Sequence, residues 1–362
     1  PKRKMSFKFY FVDWVNEHLD AYGDYDIIIH AGSIYDTKYS SRNEFETLNV
    51  NIKGTKNIID SIPIGRQKKP LFIYLSSLNV LGDQSVYAYD EIDEDSAIPN
   101  PKGILNYSLY SAENLLKSNV NDGFDYLILR LGTIVGYFSP PSNLINQAVK
   151  ALVTGKESFE MYNANESIEL VDIVDVLNVM EIILNKYRND DHHTIKNQVF
   201  NLKAEEKEPK TVDLVVRTIY DTAFNYPTIN DEHRIPGFKG SFKLVSPKIN
   251  YMFQYDKPRN KWDVPVSMKK ISNLLGYTSQ RPLIMTIIPT TVHYLLGYIL
   301  DEKQVPIVKK NILEKIFGLR STPSPQSVQN DQDLHNDVKA AVGNTNKEIE
   351  KSFEKEVADI LD

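Results

Sequence analysis

The chain has 362 residues, of which 41% are hydrophobic and 25% are charged, the composition of an ordinary globular protein. It has no cysteine, which excludes disulfides, thiolate nucleophiles and cysteine-ligated zinc or iron–sulfur sites. The net charge of −6 gives no support for nucleic-acid binding, and the seven histidines lack the spacing of metal ligands. We therefore predict neither a nucleic-acid partner nor a metal site.

Short apolar segments alternate with segments of helical periodicity over the first 202 residues. The predicted strands are Asp26–Ala31, Leu71–Leu75, Tyr126–Leu129 and Gln198–Leu202. The predicted helices are Phe45–Ile62, Leu105–Lys117, Leu144–Val153, Ile173–Tyr187 and a segment after Thr211. Strands that are apolar on both faces and joined by helices are typical of a parallel sheet covered on both sides. The sequence therefore predicts an α/β fold.

The second half of the chain is predicted to form a smaller unit and a tail. Residues 203–320 are assigned to an α/β or helical subdomain that interleaves with residues 1–202, and residues 242–264 are predicted to be irregular. Residues 321–335 have the composition of a linker. Residues 336–362 are acidic and have apolar side chains at helical spacing, which favours either a helix that binds a protein partner or a surface helix. These apolar residues are Ile349, Phe353, Val357 and Ile360.

One apolar stretch, Leu283–Leu300, has 18 residues without Asp, Glu, Lys or Arg. Its threonines, Pro289, His293 and Gly297 make it a poor bilayer span, so buried helices are favoured over membrane contact, which stays an alternative. No apolar signal core follows the basic run Lys2-Arg3-Lys4. We predict a cytoplasmic protein.

Four motifs occur in the order and at the intervals of a known family. They are His30-Ala31-Gly32-Ser33, Asn51-Ile52-Lys53-Gly54-Thr55, Ser76-Ser77-Leu78-Asn79-Val80 and Arg130-Leu131-Gly132-Thr133-Ile134-Val135-Gly136. With Val171-Asp172-Ile173-Val174 they resemble the extended short-chain dehydrogenase/reductase family, which is similar to NAD-dependent epimerases and dehydratases. Within it they resemble terminal thioester reductase domains most, although nucleotide-sugar epimerases and 3β-hydroxysteroid dehydrogenases share several of the motifs.

The resemblance implies a Rossmann-like, doubly wound sheet that binds NADP or NAD. It implies a small-molecule or carrier-bound acyl substrate. It places Ser77 at the family's catalytic Ser or Thr position and makes Tyr107 the candidate proton donor. The cofactor contacts it implies come from His30, Ala31, Gly32, Ser76, Arg130, Gly132 and Thr133.

One departure from the family concerns the phosphate-binding loop. The family begins with a strand, a Gly-x-x-Gly-x-x-Gly turn and a helix whose N-terminal amides hold the pyrophosphate. None of the 16 glycines of this chain forms that turn, and 25 residues before Asp26 are too few for the first βαβ unit. We therefore expect a Rossmann-like sheet that lacks its first βαβ unit, through evolution or because the chain is a fragment.

A second departure concerns the family's Tyr-x-x-x-Lys pair. The lysine lowers the pKa of the tyrosine, which otherwise lies near about 10, so that the phenol can serve as proton donor. Alignment through Ser108 and Glu113 puts Leu105 and Leu109 at these two positions. If a gap is allowed, Tyr107 becomes the acid but Ser111 replaces the lysine.

Two hypotheses follow. In the first, the chain descends from reductases but is inactive and acts as a scaffold or partner-binding module. In the second, it is a piece of an active NAD(P)H-dependent oxidoreductase, of the acyl-thioester reductase, nucleotide-sugar epimerase/dehydratase or 3β-hydroxysteroid dehydrogenase type.

Overall fold

A computed structural model describes residues 12–19, 25–84, 91–120, 123–136, 139, 142–153, 158–162, 164–204, 210–225, 248–252 and 265–279. It also describes Ile287, Thr290, Thr291 and Tyr294. The elements below all lie within one compact unit, Trp14–Ile312.

The centre of this unit is a four-stranded parallel sheet in the order β1-β2-β3-β8. The strands are Ile27–His30 (β1), Leu71–Ser77 (β2), Asp125–Leu131 (β3) and Gln198–Leu202 (β8). The register aligns Ser76 with Arg130 and Arg130 with Asn201, so one polar row crosses three strands near their carboxyl ends. The predicted strands and the parallel α/β fold are confirmed.

Helices cover both faces of the sheet. On one face, Phe72, Tyr74 and Ile128 pack against Ile59 and the inner side of the helix Gly103–Asn119 (α4). On the other face, Leu71, Leu127 and Phe200 pack against the helices Ile173–Arg188 (α6) and Lys269–Leu275 (α8). The helices are Thr37–Arg42 (α1), Glu44–Leu48 (α2), Thr55–Asp60 (α3), Gly103–Asn119 (α4), Leu144–Val153 (α5), Ile173–Arg188 (α6), Val212–Asn225 (α7) and Lys269–Leu275 (α8).

The helix predicted over Phe45–Ile62 is present from Glu44 to Asp60, but as three consecutive helical segments and not as one uniform α-helix. Between α2 and α3 lies a π-helical segment, Asn49–Gly54. Its last residue has no side chain, and a Cβ there would lie 2.1 Å from the Trp14 ring. Gly54 therefore lets Trp14 pack directly on the helix backbone.

A smaller apolar cluster forms beside the carboxyl end of the sheet. In it, residues from Val135 to Ala164 pack against residues from Ala204 to Tyr220, so segments on either side of residue 202 interleave. Its strands are Thr133–Val135 (β4), Ser158–Tyr162 (β5), Ser167–Ile168 (β6), Leu170–Asp172 (β7), Lys210–Thr211 (β9) and Lys248–Met252 (β10). β10 corrects the irregular structure predicted for residues 242–264, because its backbone pairs with β5.

The predicted linker (321–335) and acidic tail (336–362) lie outside the described residues. Of the apolar stretch 283–300, four residues are described, and Ile287, Thr290, Thr291 and Tyr294 are all buried. Within the part of the chain that the structure describes, no helix is long and apolar enough to cross a bilayer.

Asp175 on α6 fixes the segment that follows α8. Its buried carboxylate accepts hydrogen bonds from the Tyr277 hydroxyl at 2.5 Å and the Ser279 hydroxyl at 2.7 Å. We predict that Asp175→Ala lowers the free energy of unfolding by about 2–4 kcal/mol, because two buried hydroxyls lose their acceptor. Urea titration followed by circular dichroism measures this. Glu181→Ala on an exposed position of α6 is the control, and equal losses in the two variants would contradict the assignment.

Candidate functional site

The polar row at the carboxyl end of the sheet is joined to α4 by a buried ion pair. The Glu113 carboxylate on α4 accepts hydrogen bonds from Arg130 Nη2 at 2.7 Å and Nε at 3.0 Å. The Ser76 hydroxyl donates to the same carboxylate at 2.7 Å. Glu113 is fully buried and Arg130 is 2% exposed. This contact fixes α4 on β2 and β3.

Both members of the pair stay charged. Burial alone would raise the pKa of Glu113, but the Arg130 guanidinium and its hydrogen bonds, with Lys117, hold that pKa below its usual value. Arg130 and Ser76, both predicted to contact the cofactor, therefore have polar atoms engaged inside the protein. One guanidinium nitrogen, Nη1, has no hydrogen-bond partner in the described structure.

The Asn-x-x-Gly-Thr motif forms a second buried network. The Asn51 side chain accepts from the Ile34 amide at 2.7 Å and donates to the Ile34 carbonyl at 3.1 Å. It also donates to Ser108 Oγ on α4 at 2.9 Å. Asn51 thus connects the loop after β1 to α4. The motif therefore has a structural function, which the resemblance to the family did not predict.

His30 at the end of β1 is 4% exposed and packs against the rings of Trp14, Phe72 and Tyr74. Its Nε2 lies 3.0 Å from Thr55 Oγ1, whose own proton goes to the Asn51 carbonyl at 2.7 Å. The hydroxyl must therefore accept, which assigns the imidazole proton to Nε2. Burial lowers the pKa of His30 to about 4, so the ring is neutral near pH 7.

The two predicted catalytic residues have different surroundings. Ser77 Oγ accepts a hydrogen bond from the Asn79 amide at 3.2 Å and caps the short 3₁₀ helix Leu78–Leu81. Tyr107 is 55% exposed on the outer side of α4. It lines a groove of about 670 Å³ with Asn16, Lys53 and other residues, and Ser77 does not line this groove.

The positions of the family's tyrosine and lysine are occupied by core residues. Leu105 is 8% exposed and Leu109 is fully buried. Both pack with Phe72, Tyr74 and Val80 under the sheet. Two lysines lie near these positions in the sequence. Lys117 pairs with Glu113 at 3.4 Å, and Lys102 immediately precedes α4.

The remaining predicted cofactor contacts fit a nucleotide only in part. Ala31 and Gly32 are exposed, and Thr133 is half-buried, so this backbone is open to a ligand. Gly132 is buried, and a Cβ there would lie 2.9 Å from the Glu169 carbonyl, so its close approach is to protein. Open backbone after β1 would accommodate a cofactor's ribose.

The fold and the row of motifs at the carboxyl ends of the strands define a Rossmann-like α/β protein. The chain belongs to the NAD dependent epimerase/dehydratase family, whose model matches residues 3–202. No curated protein matches it in sequence.

Three solved structures illustrate the fold. A point mutant of UDP-glucuronic acid 4-epimerase from Bacillus cereus, in complex with NAD and a fluorinated UDP-sugar, has a TM-score of 0.62 at 18% identity, covering 79% of this chain and 81% of that one. RMD from Pseudomonas aeruginosa, complexed with NADPH, has a TM-score of 0.58 at 18% identity, covering 75% and 82%. dTDP-glucose 4,6-dehydratase from Bacillus anthracis, in complex with NAD, has a TM-score of 0.54 at 13% identity, covering 77% and 74%.

Burial of neutral His30 predicts a loss of stability in acid. The unfolded histidine titrates near 6.5 and the folded one near 4, so the unfolded state binds more protons between these values. As pH falls through this window, His30 should cost up to about 3 kcal/mol of unfolding free energy. We predict a shallower loss in His30→Gln, measured by urea titration at several pH values. A profile identical to that of the unmodified chain would contradict the assignment. His193→Gln, at an exposed position, is the control.

Removing the Glu113 charge leaves Arg130 buried and unpaired. Glu113→Gln should therefore lower the unfolding free energy by about 3–5 kcal/mol. The double variant Glu113→Leu/Arg130→Met should recover most of this loss, because apolar side chains of similar volume replace the pair. Chemical denaturation of the three proteins tests both statements, and a double variant as unstable as Glu113→Gln would contradict them.

Proposed function

We propose that this chain descends from NAD(P)-dependent oxidoreductases of the extended short-chain type, most similar to thioester reductases, and that it acts without catalysis as a scaffold or partner-binding module. The observation that carries this proposal is the burial of Leu105 and Leu109. These side chains stand where the resemblance puts the proton donor and its lysine, and both belong to the apolar core.

The positions of Ser77 and Tyr107 support the same conclusion. A proton donor must come within hydrogen-bond reach of the reacting oxygen. Tyr107 points into a groove on the outer side of α4, while Ser77 lies at the end of β2 and caps a turn. A substrate at Ser77 would therefore have no proton from Tyr107 in this conformation.

The proposal extends to the cofactor and the partner. NADP or NAD is the cofactor that the resemblance to the family implies. Of the predicted cofactor contacts, Ala31, Gly32 and Thr133 are accessible to it. We propose that the glycine-rich unit that would hold the pyrophosphate is not encoded between residues 1 and 25. A protein partner would then bind through the acidic residues 336–362.

A second candidate function is an active oxidoreductase of which this chain is a piece. The fold likeness to UDP-glucuronic acid 4-epimerase and dTDP-glucose 4,6-dehydratase favours a nucleotide-sugar epimerase or dehydratase for this alternative. If the chain is instead a piece of a thioester reductase, its substrate is a carrier-bound acyl thioester. The two substrate classes are separable by assay.

The assay measures loss of reduced nicotinamide with a carrier-bound acyl thioester, and turnover of UDP- and dTDP-sugars, for the chain and for Tyr107→Phe. We predict no turnover with either protein, because no lysine accompanies Tyr107. Turnover that Tyr107→Phe abolishes would contradict the proposal and establish Tyr107 as the acid. Turnover that survives this substitution would contradict it too, and would assign the chemistry to another group.

A further inference from the structure

Strand β1 lies at one edge of the central sheet, with β2 as its neighbour. The Leu71 amide of β2 donates to the Asp26 carbonyl at 2.9 Å, so the backbone groups of Asp26 and of every second residue after it face β2. The amides and carbonyls of Ile27 and Ile29 therefore point away from the sheet. Within the part of the chain that the structure describes, no strand pairs with β1 on that side.

Apart from its short length, β1 lacks the features that usually prevent an edge strand from pairing with another chain. Such edges are commonly protected by lysine, proline or a bulge, whereas β1 has the sequence Ile27-Ile28-Ile29-His30. The Ile29 side chain is 48% exposed, although Ile73, its partner in register on β2, is fully buried. An apolar strand with an open backbone edge is suited to accept a further strand.

The exposed Ile29 side chain identifies the face of the sheet that a partner would also cover. Ile73 belongs to the cluster that packs against α6 and α8, so Ile29 lies on that same face. The connections from β1 to β2 and from β2 to β3 place α3 and α4 on the opposite face. Crossovers between parallel strands are right-handed, so a chain that continues away from β1 would put its helix on the face of Ile29. A strand followed by a helix would therefore cover both the backbone edge and Ile29.

The turn between that strand and its helix would lie beside Ala31 and Gly32, whose exposed backbone follows β1 directly. The other strands of the central sheet all lie on one side of β1, so the added strand would create the point at which the strand order reverses. Ligands of open α/β sheets bind at that point, and a glycine-rich turn there lets phosphates approach a helix N-terminus. None of the 16 glycines of this chain forms such a turn, so a second copy would not supply it.

We propose that the free edge of β1 is a docking site for a partner polypeptide that contributes a parallel strand, a glycine-rich turn and a helix. The partner's strand pairs with the backbone of Ile27 and Ile29, and its helix covers the Ile29 side chain. This inference rests on the partner-binding role proposed above, and it gives that role a surface in addition to residues 336–362. In the assembled pair, the partner holds the phosphates of a nucleotide.

Hydrogen–deuterium exchange of the full chain first tests whether the edge is free. The Ile27 and Ile29 amides should exchange about tenfold faster than those of Ile28 and His30, which face β2, because they lack a backbone acceptor. Equal protection of all four amides would show that the chain itself covers the edge, and would overturn the proposal.

The same measurement is then made with a synthetic peptide that contains an apolar strand, a Gly-x-x-Gly-x-x-Gly turn and an amphipathic helix. This peptide should slow exchange of the Ile27 and Ile29 amides about tenfold. A control peptide with prolines in its strand should not, because proline has no backbone donor. No slowing, or equal slowing by both peptides, would overturn the proposal. Neither cofactor nor substrate is present, so this failure would leave the proposed lack of catalysis untouched.

A variant at the edge identifies the occupant. Ile29→Lys should weaken binding of the peptide about tenfold, because the ammonium would lose water when the strand pairs. Ile64→Lys, at another apolar position that is 79% exposed, is the matched control and should bind like the unmodified chain. Equal weakening in the two variants would overturn the proposal.

Sedimentation of the chain without peptide tests the other occupant, a second copy. The proposal predicts that Ile29→Lys and Ile64→Lys sediment like the unmodified chain. Self-association that Ile29→Lys abolishes and Ile64→Lys keeps would assign the edge to a second copy, and would overturn the proposal.

Discussion

The placement of α4 depends on the buried contact of Glu113 with Arg130 and Ser76. This one carboxylate joins a helix to two neighbouring strands, and its hydrogen bonds from Ser76 and Arg130 come from groups that are themselves buried. An ion pair without solvent tolerates little displacement, because a lost partner would leave a charge in an apolar interior. The rotation of α4 about its axis is therefore fixed, and with it the direction of every side chain on that helix.

The rotation of α4 decides which of its side chains face the sheet and which face outward. Leu105, Leu109, Ala112 and Leu116 share the face of Glu113 and pack under the sheet. Tyr107 is two residues, or about 200° of helical turn, away from Leu105 and faces outward. Leu105 and Leu109, at the positions where the resemblance to the family puts the acid and the lysine, are core residues. Membership of the family is therefore compatible with a helix α4 that has no Tyr-x-x-x-Lys pair.

The sequence predicted the strands well, because runs such as Ile27–His30 and Leu71–Leu75 are apolar on both faces and bounded by polar turns. It placed α4 and α6 within a few residues. It did not predict the π-helical segment or β10, since these depend on contacts with Trp14 and β5 that are distant in sequence. The motif residues were found by resemblance, but their partners were not. In the sequence analysis, Glu113 was used only as a reference position for the alignment. Its pairing with Arg130 was not predicted, because the two residues are 17 positions apart in the sequence. A buried acidic residue on an otherwise apolar helix face was the available signal for it.

The most direct test of the central claim is calorimetric titration of the chain with NADPH and with NADH. If the chain keeps the family's fold without its cofactor chemistry, neither nucleotide should give a saturable heat at millimolar concentration. Stoichiometric binding of either one would contradict this account, and would show that the chain holds a cofactor without the glycine-rich turn.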